Sequence, residues 1–109
     1  MKKMALLFIL VITLTLLTGC GNGSVTLDTY ISAFEEQGIV IDKNEKPLFG
    51  MIGAKDGVIF YIDNGKVAIY EYEKESNLKD SGFNFDSVNG RFGLESKNAK
   101  AKEIFNSIK

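Results

Sequence analysis

The chain has 109 residues, a formal net charge of −1, and one cysteine without any histidine or tryptophan. This length allows a single domain, and a hydrophobic share of 45% excludes a chain that is disordered throughout. The same counts exclude a Ser-His-Asp triad, a disulfide within the chain, and a zinc site built from histidine and cysteine.

The first residues form a basic and then an apolar segment. Lys2 and Lys3 precede residues 4–17, which are uncharged and read MALLFILVITLTLL. A membrane-spanning helix needs about 20 apolar residues, whereas the apolar region of a signal peptide has about 7–15. The length therefore favours a signal peptide over a permanent span, and the two lysines orient its start toward the cytoplasm.

The apolar segment ends in Leu17, Thr18, Gly19 and Cys20. This sequence resembles the lipobox of bacterial lipoproteins, in which an aliphatic residue and two small residues precede the cysteine. The resemblance implies that the signal peptidase recognises Leu17, Thr18 and Gly19 and removes residues 1–19. It also implies that Cys20 becomes the N-terminus and carries a diacylglycerol, with fatty acids such as palmitate.

A lipid on Cys20 implies a membrane-anchored protein on the extracytoplasmic face of the cell membrane. A composition rich in Lys, Ile and Asn favours a Gram-positive host. The alternative is an uncleaved anchor with Cys20 present by chance, and it also places the domain at a membrane.

Removal of residues 1–19 would leave 11 of the 13 basic residues against 14 acidic ones, a net charge of −3. Nucleic acids bind to basic surfaces, so we expect no nucleic-acid partner. Residues 20–25 form the lipidated cysteine and a short flexible tether that reaches about 20 Å. Residues 26–109 are expected to form one domain close to the bilayer.

The first predicted element of the domain is a helix over residues 27–37. Thr26 is placed to cap its start and Gly38 to end it. Its apolar residues follow the i, i+3, i+4, i+7 spacing of one helical face, namely Leu27, Tyr30, Ile31 and Phe34. Residues 42–48 are expected to form a loop, and segments 39–41 and 49–54 short strands.

The next predicted element is a hairpin over residues 58–72, with Asn64-Gly65 in a type I′ turn and Asp63 paired with Lys66. Strand alternation gives it two different faces. The aliphatic face carries Val58, Phe60, Ile62, Val67 and Ile69. The tyrosine-rich face carries Ile59, Tyr61, Ala68, Tyr70 and Tyr72.

The charged segment 73–81 is expected to be a loop or one helical turn. A second hairpin is predicted around the turn Asn89-Gly90. Its register places four apolar residues on one face, namely Phe83, Phe85, Phe92 and Leu94. A C-terminal helix follows, capped by Ser96 or Asn98, with Ala101, Ile104, Phe105 and Ile108 on its apolar face.

These elements predict an α+β fold. We expect a small antiparallel sheet of about four strands, with the N-terminal and C-terminal helices packed on one face.

The residue types point to binding rather than catalysis. The carboxylate clusters that glycoside hydrolysis would need are interpreted as surface charges: Glu35, Glu36, Glu71, Glu73 and Glu75. The segment 42–47 fails as a calcium loop, because its fifth and sixth positions are Lys46 and Pro47. We therefore expect no enzyme activity, no catalytic residues, no metal and no cofactor.

Tyr61, Tyr70 and Tyr72 are the candidate binding residues, because tyrosines are enriched in recognition surfaces and no helix is predicted to cover this face. The alternative is a structural role for the tyrosines, with residues 42–51 as their cover. The leading hypothesis is a non-enzymatic surface module that binds a protein or a cell-wall component near the bilayer. The alternatives are a small-molecule-binding accessory lipoprotein for transport, and an immunity or exclusion lipoprotein of a mobile element.

Overall fold

The computed structural model describes residues 25–108. The predicted signal peptide, the lipobox with Cys20, and tether residues 21–24 lie outside the described residues. The elements in chain order are α1 (Leu27–Glu36), a 3₁₀ helix (Phe49–Ile52), β1 (Asp56–Ile62), β2 (Gly65–Glu71), α2 (Glu75–Asp80), β3 (Ser87–Asn89), β4 (Phe92–Glu95) and α3 (Ala99–Asn106).

The four strands form one antiparallel sheet with the order β1-β2-β4-β3. The predicted α+β class and the four-stranded antiparallel sheet are confirmed. No helix within residues 25–108 is long and apolar enough to cross a bilayer.

The end of α1 and the start of α3 both lie on signals in the sequence. The end of α1 is a Schellman motif: Gly38, at φ 86°, donates to the Glu35 carbonyl (2.9 Å), and Ile39 donates to the Phe34 carbonyl (3.3 Å). At the start of α3, Asn98 rather than Ser96 is the N-cap, because its side chain accepts from the Ala101 amide at 2.9 Å.

The segment between α1 and β1 differs from the prediction. Residues 39–41 do not form a strand, and the segment 49–54, also expected to be a short strand, contains the 3₁₀ helix. Phe49 and Ile52 lie three residues apart and both pack inward, which is the period of a 3₁₀ helix rather than of a strand. Within the charged segment 73–81, α2 forms and buries Leu78.

In both hairpins, each strand residue pairs with a partner two positions away from the one predicted. Ile62 pairs with Gly65, and the turn residues are Asp63 and Asn64, both with positive φ (51° and 69°) as a type I′ turn requires. In the second hairpin Asn89 pairs with Phe92. A shift of two residues leaves every strand side chain on its original face. The predicted faces and the type I′ turn of the first hairpin are therefore correct, but the turn lies one residue earlier than predicted.

A hydrophobic cluster lies on each face of the sheet. The first joins side chains of α1 and α3 to alternate strand residues, which are Val58, Phe60, Val67, Ile69, Phe92 and Leu94. The second is smaller and contains Ala54, Ala68, Tyr70, Tyr72 and Leu78, with Phe49, Ile52, Ile59 and Phe85 packed against it.

The position of Phe83 and Phe85 corrects the predicted second hairpin. They were expected on the same face as Phe92 and Leu94, but β3 begins only at Ser87, and the chain before it crosses to the opposite face. The Phe83 ring lies 4.7 Å from that of Phe85 and 6.2 Å from that of Tyr70. The phenylalanines therefore pack beside the tyrosines and not with the strand residues of the first cluster.

Candidate functional site

The tyrosine-rich face does not form one exposed surface. Tyr61 is 62% exposed, but Tyr70 and Tyr72 are buried in the second cluster. The Tyr72 hydroxyl donates to the Ile52 carbonyl at 2.7 Å, and the Tyr70 ring lies 5.7 Å from that of Phe85. The candidate binding face is corrected accordingly: of its three tyrosines only Tyr61 is accessible, and the alternative of a structural role holds for Tyr70 and Tyr72.

Tyr70 also positions a carboxylate at the end of β4. Its hydroxyl donates to Glu95 Oε1 at 3.3 Å, while Lys66 Nζ lies 3.3 Å from Glu95 Oε2. Burial is the main cause that raises the pKa of Tyr70 to about 12, and the neighbouring Glu95 carboxylate adds to it. The phenol therefore stays protonated and remains a donor at neutral pH.

A cleft of about 530 Å³ opens at this end of the sheet. One wall is the turn between β1 and β2, and the other is formed by the chain before β3 and after β4. Its lining comprises Ile62, Asp63, Gly65, Lys66, Asn84, Asp86, Glu95, Ser96, Lys97 and Asn98. Most of these residues are polar, and both signs of charge are present.

Asp86 holds the wall of the cleft that leads into α3. Its Oδ2 accepts from the Ser96 amide at 2.8 Å, and its Oδ1 accepts from Lys97 Nζ at 2.8 Å. The hydrogen bond from Lys97 is the main cause that holds the pKa of Asp86 below its usual value of 3.8. Asp86 is therefore an ionised acceptor at neutral pH, bonded to both residues.

The polar groups of the cleft can form hydrogen bonds and ion pairs. Its two lysines are each paired with a carboxylate, and Lys97 remains accessible to solvent. Across residues 25–108, every buried polar side-chain atom has a hydrogen-bond partner. The described part of the chain also has no group of three or more side chains that could hold a metal ion. The cleft can thus offer positively charged donors from its lysines and negatively charged acceptors from its carboxylates.

Sequence reasoning did not identify this cleft. Asn84, Asp86 and Glu95 alternate with apolar residues, which indicates polar positions along a hairpin but not a site. Only the order β1-β2-β4-β3 brings them beside the turn between β1 and β2.

Glu71 is the exception among the carboxylates interpreted as surface charges. It is only 6% exposed, and Arg91 Nη1 lies 2.6 Å from its Oε2. The other four are exposed as expected, namely Glu35, Glu36, Glu73 and Glu75. The physical reason is register: Glu71 follows Val67 and Ile69 at intervals of two, so it faces the first cluster and needs a charged partner there.

Arg91 also holds Val25, the first residue that the structure describes. Its Nη1 donates to the Tyr72 carbonyl (2.9 Å) and its Nη2 to the Val25 carbonyl (3.0 Å), and its guanidinium lies 4.7 Å above the Phe92 ring. Strand β2 runs from Gly65 at the cleft to Glu71 beside Arg91. The six intervening steps separate the cleft from this end of the sheet by about 20 Å.

Comparisons with protein-family models, with curated proteins and with solved structures find no match for this chain. The features that bear on function are therefore those of the chain itself. They are the cleft at one end of the sheet and the attachment of Val25 at the other.

Proposed function

We propose that this protein is a lipid-anchored, extracytoplasmic binding module without enzymatic activity, held at the cell membrane by a diacylglycerol on Cys20. The observation that carries the proposal is the sequence Leu17-Thr18-Gly19-Cys20 after a basic and apolar segment of signal-peptide length. One acyl chain anchors a protein only marginally, whereas two anchor it stably, so a diacylglycerol suffices without a spanning helix.

The contact between Arg91 and Val25 supports a defined orientation at the membrane. Five steps of chain from Cys20 to Val25 reach at most about 18 Å, so this end of the sheet stays close to the bilayer. The cleft, at the other end of β2, then faces away from the membrane toward a protein or cell-wall partner. In the same arrangement α1 and α3 cover one face of the sheet, because their side chains share the first cluster.

The anchor is tested by Cys20→Ala. We expect the variant to remain unprocessed, to incorporate no labelled palmitate, and to keep the mass of residues 1–19, because the lipid needs the thiol. The measurement is metabolic labelling combined with intact-protein mass spectrometry of membrane fractions. Gly21→Ala serves as the control and should be processed normally. Normal cleavage and lipid labelling of the Cys20→Ala protein would contradict the assignment.

Binding at the cleft is tested by photo-crosslinking in living cells. A photoreactive residue replaces Lys97 in the cleft, Tyr61 in β1, or Glu36 at the end of α1. All three side chains are exposed. We expect specific adducts from position 97, weaker ones from position 61, and none from position 36. Equal adducts from all three positions, or none from position 97, would argue against a macromolecular partner in the cleft.

A small-molecule-binding accessory role is the second candidate, and the cleft volume favours it. About 530 Å³ lies within the range of about 300–1,000 Å³ that is common for ligand pockets. If position 97 yields no adduct while a polar metabolite raises the melting temperature, the small-molecule role is supported instead. The variant Lys97→Ala should then lose that stabilisation, and Glu36→Ala should keep it.

A further inference from the structure

Two large apolar side chains project into solvent from the 3₁₀ helix and its N-cap. Leu48 is 76% exposed and Met51 is 79% exposed. They belong to residues 47–54, PLFGMIGA, which contain no charged residue and no hydroxyl group. Exposed apolar residues are ordinary when they are scattered singly, but a pair within a wholly apolar segment indicates a contact surface.

Leu48 and Met51 are together called the apolar row. Residues i and i+3 of a 3₁₀ helix are eclipsed, so Phe49 lies above Ile52, while Leu48 is the N-cap that precedes the first helical residue. Phe49 and Ile52 pack against the second cluster, and the Met51 amide donates to the Leu48 carbonyl at 3.2 Å. The inward row fixes the segment to the domain, and the outward row, Leu48 and Met51, remains uncovered.

Hydrogen bonds through Tyr72 place this row at the end of the sheet where the N-terminal segment joins. The Tyr72 hydroxyl donates to the Ile52 carbonyl at 2.7 Å, and the Tyr72 carbonyl accepts from Arg91 at 2.9 Å. Arg91 in turn holds the Val25 carbonyl at 3.0 Å. The apolar row and Val25 therefore lie at the same end of the sheet, with the 3₁₀ helix packed on one face and Val25 on the other.

We propose that Leu48 and Met51 form a second contact with the membrane, inserting their side chains into the headgroup and acyl boundary of the bilayer. This inference rests on the proposed anchor at Cys20 and deepens it. The tether of at most about 18 Å keeps Val25, and with it the 3₁₀ helix, within reach of the lipid surface. A bilayer is an apolar partner that is always present at this end of the domain, and an uncharged row suits it. The contact fixes the tilt of the domain and directs the cleft outward.

The test is the depth of a nitroxide label in vesicles. The full chain is produced in a lipidating bacterial host as Leu48→Cys, Met51→Cys or Tyr61→Cys, and is reconstituted in phosphatidylcholine and phosphatidylglycerol vesicles. Lipidated Cys20 has no free thiol, so the label attaches only at the new cysteine. Tyr61 is the matched control, because it is a large exposed side chain toward the cleft end of β1.

The readout compares collisions of the label with oxygen, which enters lipid, and with a nickel chelate, which stays in water. The oxygen-to-nickel ratio should be at least about threefold higher at position 48 or 51 than at position 61, since interfacial elements lie about 5–10 Å into this boundary. A higher ratio at either position 48 or position 51 is sufficient to support the contact. The labelled protein must unfold at the wild-type temperature, which shows that it is correctly folded.

Three results would overturn the inference. Labels at 48 and 51 that are as accessible to nickel as the label at 61 would place the row in water, while lipid on Cys20, seen by mass, would leave the proposed function intact. Exclusion of both reagents would indicate that a second copy of this chain covers the row. A reactive thiol at Cys20 in the unsubstituted protein would refute the anchor itself, and the second contact with it.

Discussion

Replacing Arg91 with methionine is expected to lower the free energy of unfolding by about 3–5 kcal/mol, because the substitution leaves a buried carboxylate without its partner. Glu71 is almost wholly buried, and Arg91 Nη1 lies 2.6 Å from its Oε2. The same guanidinium holds the carbonyls of Tyr72 and Val25, which also lose their donor. Since small domains have a total stability of about 5–15 kcal/mol, the variant should be close to unfolding at growth temperature.

The measurement is urea unfolding of Arg91→Met, Glu71→Gln and the double variant. The double variant should be more stable than Arg91→Met alone, because removing both charges removes the desolvation penalty. Lys79→Met is the control, since it breaks an exposed pair with Glu75 (3.4 Å) within α2 and should change stability little. Equal stability of Arg91→Met and Lys79→Met would show that the Glu71 pair contributes nothing particular.

A methyl group at position 93 is the second substitution with a large expected effect. An ideal Cβ on Gly93 would lie 2.6 Å from Phe85 Cδ1, well inside van der Waals contact. Gly93→Ala must therefore displace the Phe85 ring from its place beside Tyr70 and Tyr72. Overpacking of this kind costs about 1–3 kcal/mol.

A double-mutant cycle with Phe85→Ala isolates this contact. In the Phe85→Ala background, Gly93→Ala should cost much less, with a coupling energy of about 1–2 kcal/mol between the two positions. Gly50→Ala is the matched control, because no atom lies within 4 Å of its ideal Cβ and its φ is not positive. An identical cost of Gly93→Ala in both backgrounds would mean that the glycine is needed for its backbone and not for the ring above it.

The cover of the tyrosines shows why strand alternation is incomplete evidence for a binding face. Alternation correctly places Tyr61, Tyr70 and Tyr72 on the face opposite Val67 and Ile69. It says which side chains share a face, but not what packs on that face. Phe85, before β3, and the 3₁₀ helix cover this face. Neither belongs to a strand of the sheet, so strand alternation does not predict their position. One sequence signal was present: a glycine inside a strand, such as Gly93, often marks a close approach.

The candidate site was less predictable than the fold. Polar residues at 84, 86 and 95 give no local signal for a cleft, because its opposite wall is the turn between β1 and β2. Glu71 could have been recognised, since it continues the spacing of Val67 and Ile69 onto the buried face. Its partner could not, because Arg91 is 20 residues away and reaches it across a pair of strands.

The local features of the fold follow from the sequence alone: the terminal helices, two of their ends, and the faces of the first hairpin. The periodic apolar residues predict α1 and α3, Gly38 and Asn98 mark a helix end and a helix start, and alternation separates the two faces of β1 and β2. These features depend on neighbours within about one or two turns of chain, where geometry follows from residue type. The sequence Leu17-Thr18-Gly19-Cys20, which resembles a lipobox, is a linear pattern of the same kind.

Tertiary structure decided the features that join distant segments. The strand order β1-β2-β4-β3 places Arg91 between Glu71 and Val25, which lie 20 and 66 residues away in the chain. It also puts the cleft at one end of the sheet and Val25 at the other. Such contacts form because buried charge and apolar surface must find partners anywhere in the fold, and that requirement has no fixed spacing in the sequence.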